Sequence, residues 1–245
     1  MTTAVILAGG LGTRLRSRVS DRPKPMASVV QQDKQETPFL AVLMDYWVEQ
    51  GVSRFILSIG YLSDQIVEYF GDHYQDCPVA YVVEPEPMGT GGALMLAMEK
   101  LSEDEPFLLL NGDTIFQVDL PALETFAKQK QAQVVLSLFE SHDSERYAGM
   151  ELDADHRVQA FGTKETGGRK ITHHQVNGGV YWFGNKSGLS TTFDQCPLSL
   201  EADVFPVWIK QGVAVYGKVF AQPFIDMGLP EDYDRLGDFL QHLND

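Results

Sequence analysis

Over its first half the chain alternates short apolar runs with amphipathic stretches, the pattern of buried strands joined by helices in a βαβ sheet. Thr3–Ala8 reads as a buried strand, and Pro38–Gln50 as a helix with proline in its first turn and Gly51 at its end. Arg54–Ile59 is a second strand. Ser63 sits where an N-cap belongs, before a helix over Asp64–His73, and Val79–Val83 gives a third strand. Gly91–Leu101 is predicted to be helical, and Phe107–Leu110 to be a fully apolar strand running into Asn111-Gly112-Asp113. Leu120–Gln131 is helical again, and Val134–Phe139 is expected to complete the core sheet.

Beyond residue 140 the pattern turns to hairpin-like pieces: Met150–Leu152, Arg157–Phe161 and the long run Val176–Phe183. Helices are predicted over Glu201–Gln211 and Pro230–Leu243, with Val213–Phe220 and Phe224–Asp226 extended between them. Gln31–Thr37 and Thr166–His174 are polar and aperiodic, and read as exposed irregular segments. No repeat, low-complexity tract or Pro/Ser-rich linker divides the chain, so one domain over residues 1–245 is expected.

Composition narrows the classes. With 245 residues, 44% apolar and 22% charged, the chain can bury a sizeable core and is not a disordered one. A formal net charge of −15 argues against a general grip on nucleic acid or adsorption to an anionic membrane, both of which need a basic face. The apolar run near Met1 has no basic flank and is too short for a signal peptide or a span. Cys77 and Cys196 have neither disulfide-framework nor metal spacing, which points to reduced thiols and a cytoplasmic location. The six histidines show no metal spacing, and His173-His174 reads as surface.

The charge is uneven. Residues 1–24 hold Arg14, Arg16, Arg18, Arg22 and Lys24 against the single anion Asp21. These cations flank a glycine-rich turn, Gly9-Gly10-Leu11-Gly12-Thr13-Arg14, directly after the first strand. Glycines there let backbone N–H groups approach an anion, which suits a phosphate chain. A dinucleotide fingerprint would need its third glycine where Leu15 stands, and a P-loop would need Lys-Ser or Lys-Thr, which is missing. What fits is a phosphate loop with Arg14 on it and Lys24 held between Pro23 and Pro25.

The order G-G-x-G-T-R followed by P-K-P resembles the signature of the sugar-1-phosphate nucleotidyltransferases. Further matches are Met88–Ala93, Asn111-Gly112-Asp113, Asn177–Tyr181 and Phe224–Tyr233. Together they look most like the D-glycero-α-D-manno-heptose 1-phosphate guanylyltransferases, over roughly residues 3–236. The resemblance implies a Rossmann-like α/β nucleotidyltransferase fold with a mixed, mostly parallel sheet flanked by helices. It places the nucleotide in about residues 1–135 and the sugar phosphate in about residues 136–245. The implied partners are GTP and a sugar 1-phosphate, with Mg²⁺ as cofactor, and a homo-oligomer is compatible with it.

In such a reaction an already ionised sugar phosphate attacks the α-phosphorus in line and pyrophosphate leaves. Catalysis then rests on bringing two polyanions together and neutralising their charge. The resemblance assigns Arg14 to the β/γ-phosphates, Lys24 to the α-phosphate, and Asp113 and Asp226 to the metal. Leu7, Ala8, Gly9, Gly10, Gly12, Thr13, Glu84, Gly89, Thr90 and Gly91 fall to the nucleotide. Lys164 resembles the lysine that grips the incoming phosphate, although Thr163 stands where relatives commonly carry Glu. Asn111, Gly112, Gly149, Asn177, Gly178 and Glu201 fall to the sugar, with Tyr147 expected to line the same pocket.

Glu84 bears on the base. A carboxylate only accepts, so it can pair with the adjacent N1–H and N2–H₂ donors of guanine, whereas uracil or thymine would present carbonyl oxygens. Two alternatives stay open: a uridylyl-, thymidylyl- or cytidylyltransferase acting on a hexose 1-phosphate, and a non-catalytic module that binds a sugar nucleotide.

Overall fold

The computed structural model describes residues 2–30, 36–143, 146–147, 149–162, 174–189, 191–193 and 196–242. The first half builds as the periodicity predicts. Strand β1 (Thr2–Leu7) leads through a short antiparallel pair, β2 (Ser28–Val30) and β3 (Glu36–Pro38), into helix α1 (Phe39–Glu49). Then follow β4 (Val52–Ile59), α2 (Ser63–Phe70), β5 (His73–Tyr74), β6 (Cys77–Val83) and α3 (Gly89–Met98). Next come β7 (Phe107–Asn111), β8 (Thr114–Phe116), α4 (Leu120–Lys130) and β9 (Val134–Glu140). The second half contributes β10 (Met150–Leu152), β11 (Val158–Phe161), β12 (Gln175–Phe183), α5 (Phe205–Lys210), β13 (Val215–Val219), β14 (Phe224–Asp226) and α6 (Pro230–His242).

Eight strands form the central sheet in the order β13-β9-β12-β7-β1-β4-β6-β5. β7, β1, β4 and β6 run parallel to one another, as does the β13–β9 pair, while β12 runs antiparallel to both β7 and β9 and β5 antiparallel to β6. The expectation of a mixed, mostly parallel sheet therefore holds. The expectation that Val134–Phe139 completes it does not. β12 lies in the middle, between β7 and β9, because its apolar run is buried on both faces and needs neighbours on both edges.

Four local readings also change. Leu62, in a left-handed conformation, takes the position before α2, and the Ser63 side chain makes no cap bond. That helix stops at Phe70, where Gly71 turns the chain into β5, so His73 is extended. Thr37 belongs to β3 and pairs with Val29, while residues 31–35 lie outside the described residues. The helix expected from Glu201 opens as a wider turn over Leu200–Val204, capped by the Ser199 side chain on Ala202 N–H, before α5 proper.

Two apolar layers cover the sheet. Alternation along β1 sends Ala4 and Ile6 to the layer with Trp47 and Leu40, and Val5 to the layer with Leu109 and Trp208. No helix among the described residues is long and apolar enough to cross a membrane. The chain passes from β1 to β4 and β6 on one side and then returns to place β7 on the other side of β1. This reversal opens a crevice at the carboxyl ends of β1 and β7, where Leu7 and Asn111 are paired neighbours.

Gly178 reports how tightly β12 is held: a Cβ there would lie 2.3 Å from the Phe116 ring and 3.1 Å from Ser137 O. Gly178→Ala is expected to destabilise the fold by about 1–3 kcal/mol, read as a lower melting temperature, and an unchanged melting temperature would refute this account of the site.

Candidate active site

The glycine turn begins where β1 ends. Ala8 N–H still reaches Ser58 O at 2.7 Å, and the chain then leaves the sheet. Gly9 has no room for a side chain, since a Cβ would lie 2.0 Å from Glu84 Oε1. Gly12 turns back with φ of +57° and lies against the stem of Lys24, so the turn fixes the lysine's position. Lys24 itself opens a single tight turn after Pro23, closed by Met26 N–H to Pro23 O at 2.8 Å. Leu15 is buried in the core, consistent with its reading as incompatible with a dinucleotide fold.

A cleft of about 470 Å³ opens at this point. The structure brings to its wall Leu7, Ala8, Gly9, Gly10, Gly12 and Thr13 from the turn, together with Arg14 and Lys24. Glu84, which lies against Gly9, and Gly89, Thr90, Asn111, Gly112 and Asp113 line the same cleft. Gly91 stands behind the wall, where its N–H donates to Leu198 O at 2.9 Å. Ala93 and Gly228 also line the cleft and were not among the expected site residues, since neither carries a polar side chain to signal it.

Glu84 is held from two directions: Ser58 Oγ donates to Oε1 at 3.1 Å and Met88 N–H to Oε2 at 3.2 Å. Lys24 Nζ lies 2.5 Å from Asp113 Oδ2, with the lysine side chain only 11% exposed. The other carboxylate arrives from a distant segment. β14 pairs antiparallel with β8 so that Asp226 stands opposite Thr114, and Met227 N–H donates to Asp113 O at 2.9 Å. Burial raises the Asp226 pKa above the usual carboxylate value, and the negative charge of Asp113 raises it further. Lys24, the Gly228 N–H and Arg146 act in the opposite sense.

Two half-buried carboxylates with one lysine fit a hard divalent cation whose remaining ligands would come from phosphate and water. Among the described residues no group of three or more His, Cys, Asp or Glu side chains could hold a metal alone, which leaves that role to a shared site. The cations of the first 24 residues divide sharply. Arg18 pairs with Asp234 at 2.7 Å, Arg22 with Asp21 at 3.2 Å, and Arg16 lies over the Tyr61 ring. Arg14 is exposed at the cleft rim.

Of the residues expected to meet the sugar, Asn111 and Gly112 line the first cleft, while Asn177 and Glu201 form a second cluster. Asn177 Nδ2 donates to Glu201 Oε1 at 2.9 Å and to Tyr181 Oη at 2.7 Å, and Tyr181 Oη donates to Glu201 Oε1 at 3.0 Å. Tyr181 is fully buried, and burial with the nearby Glu201 charge pushes its hydroxyl pKa well up, so it stays a donor. Within an apolar run nothing marked this tyrosine as part of a polar network. Tyr147 packs edge-on against Phe139 and Phe224, and Gly149 O accepts from Gly162 N–H at 2.8 Å. Lys164 lies outside the described residues. The two clusters are joined: Leu200 N–H donates to Thr90 Oγ1 at 2.9 Å and Leu198 N–H to Met88 O at 2.8 Å.

A family model described as "Nucleotidyl transferase" matches residues 3–237. The chain belongs to the nucleotidyl transferase family. It is 39% identical over 239 residues to a D-glycero-alpha-D-manno-heptose 1-phosphate guanylyltransferase of Aneurinibacillus thermoaerophilus, covering 98% of each chain. It is 34% identical over 230 residues to the enzyme of that name from Campylobacter jejuni, covering 94% of this chain and 96% of the relative. The crystal structure of HddC from Yersinia pseudotuberculosis complexed with GMP-PN superposes with a TM-score of 0.79 at 33% identity, over 97% of this chain and 99% of that one. Enzymes of this family generally use a divalent metal.

Because Asp226 sits buried beside a like charge, Asp226→Asn is expected to stabilise the metal-free protein at neutral pH by roughly 1 kcal/mol, about 2–4 °C in melting temperature. The same variant is expected to lose any stabilisation by added divalent cation. A lower melting temperature without metal would contradict the electrostatic account.

Proposed function

We propose that this protein transfers the guanylyl group of GTP to D-glycero-α-D-manno-heptose 1-phosphate, giving the GDP-heptose and pyrophosphate with Mg²⁺ as cofactor. The reading is supported above all by the convergence of Lys24, Asp113 and Asp226 at the carboxyl edge of the sheet, beside a glycine turn, in a chain that resembles heptose 1-phosphate guanylyltransferases along its length. The proposed setting is the cytoplasm, where nucleoside triphosphates are available.

The triphosphate would follow the glycine turn with its β- and γ-phosphates toward Arg14 and its α-phosphate toward Lys24. Lys24 is drawn by Asp113 to the spot where charge must be neutralised, so little reorganisation is needed as the reaction proceeds. Asp113 and Asp226 would hold the metal, which supplies charge neutralisation on the phosphates when bound. No protein base is required, because the attacking phosphate oxygen is already ionised. The sugar would lie toward Asn177 and Glu201, whose side chains are locked by Tyr181 before any ligand arrives, and toward Tyr147. Lys164 would meet the incoming phosphate. Asn111 Oδ1 is buried without a partner among the described residues and would accept from a substrate hydroxyl.

Glu84 would read the base. Its two oxygens already accept from Ser58 and Met88. The lone pairs left over can still face two adjacent donors, which guanine offers and pyrimidines do not.

A matrix of GTP, UTP, dTTP and CTP against heptose, mannose, glucose and N-acetylglucosamine 1-phosphates, read by pyrophosphate release, is expected to peak at GTP with the heptose phosphate. Turnover confined to UTP or dTTP would overturn the guanylyl reading, and nucleotide-sugar binding without turnover of any pair would favour a binding module. Lys24→Ala is expected to lower kcat by roughly 10²–10³. Glu84→Gln should shrink the preference for GTP over UTP by roughly tenfold or more, and an intact preference would remove Glu84 from base selection.

A further inference from the structure

Asp232 is a buried carboxylate that the reaction does not use. Its side chain is 2% exposed, in the first turn of α6, and two arginines converge on it. Arg146 engages it with both terminal nitrogens, Nη1 to Oδ1 at 3.1 Å and Nη2 to Oδ2, and Arg235 Nη2 reaches Oδ1 at 2.6 Å. A buried ion pair is costly to assemble, and an apolar pair of similar volume commonly serves stability as well. A two-pronged contact does something apolar packing cannot: it fixes the angle and register of the two segments that carry it.

Both segments lead into the site. Asp232 stands six residues after Asp226, and the intervening turn is tied at its other end by Met227 N–H to Asp113 O. Arg146 lies over the ring of Tyr147, 5.0 Å from its centroid. That ring meets Phe139 and Phe224 edge-on, and Phe139 and Phe224 stack at 3.9 Å. Phe224 opens the short strand that ends in Asp226. Asp232, Arg146, Tyr147 and Phe224 thus form one contact chain around the segment that presents Asp226. With Nη1 and Nη2 both turned to Asp232, the forked end of Arg146 is committed to the protein.

We infer that Arg146 and Asp232 are a positioning pair for the sugar-phosphate half of the site, clamping Tyr147 and the 226–229 turn where the sugar 1-phosphate is received. The inference rests on the proposed reaction only for the identity of the acceptor. The contacts of the pair run to Tyr147 and to the turn that carries Asp226 and Gly228, not to the glycine turn or Glu84, so it acts on acceptor binding more strongly than on nucleotide binding.

The test compares the wild type with Arg146→Lys, Asp232→Asn and the double variant Arg146→Gln/Asp232→Asn, which leaves no unpaired buried charge if a single variant folds poorly. Steady-state kinetics use D-glycero-α-D-manno-heptose 1-phosphate and, in parallel, α-D-mannose 1-phosphate. GTP binding is measured by titration with a non-hydrolysable analogue. Expected are a KM for the sugar phosphate raised about tenfold in each variant, a kcat changed less, and an affinity for the analogue, titrated without divalent cation, lowered less than about twofold. An unchanged acceptor KM in folded variants, with only the melting temperature lowered, would make the pair purely structural and overturn the inference. So would an equal loss of nucleotide affinity. If the heptose and GTP assignment is itself wrong, the wild type reveals it by turning over another pair, and the variants are then measured on that pair.

Discussion

Two carboxylates held together at the carboxyl edge of a sheet organise this molecule. Asp113 lies in the turn just after the central strand β7 and Asp226 ends a two-stranded ribbon, and they meet only because β14 pairs with β8. Left alone they repel, and burial of Asp226 sharpens the repulsion, which is why its pKa lies high. Lys24 offsets part of that cost through its 2.5 Å contact with Asp113. The glycine turn, the prolines around Lys24 and the clamp on α6 all act on these three side chains. A cation bound between the carboxylates would relieve the strain among them, and a site poised in that way favours a ligand that brings charge with it.

The second half of the chain is joined to the first by more than proximity. β12 is inserted between β7 and β9, so residues 175–183 are wedged into the sheet whose other strands carry the cleft. Its first turns carry Asn177, and its buried hydroxyl, Tyr181, locks Asn177 and Glu201 into one network. The 198–200 segment then bonds back to Met88 and Thr90 at the cleft wall. The residues proposed for acceptor and nucleotide therefore share one frame, which is what the proposed in-line reaction between two bound polyanions would require.

Much of this was legible before any coordinates. Helix and strand periodicity located most elements because each buries one stripe or a whole apolar run, and the glycine turn with its cations pointed to the wall of the cleft, which the structure builds from them. The reading faltered where signal and structure part company. Val176–Phe183 read as a hairpin-like piece because an apolar run says that it is buried but not between which neighbours. Gly91 shares its motif with cleft residues yet faces Leu198, since a motif does not say which way a turn looks. Arg18 and Arg22 belonged to the same basic cluster as Arg14, and only their partners Asp234 and Asp21 separate surface pairing from a free cation at the rim.

By itself the sequence determined the order of most elements, the glycine turn with its cations, and the residue types the proposed charge-neutralising transfer would need, because these depend on local chemistry within a few residues. Tertiary structure alone decided which of those residues meet. The pairing of Asp113 with Asp226, the hold of Tyr181 on Glu201, and the clamp of Asp232 on Arg146 each join segments separated by 20 to 113 residues. Such contacts are set by strand order and by the burial of both partners, and neither is written in the spacing of one segment.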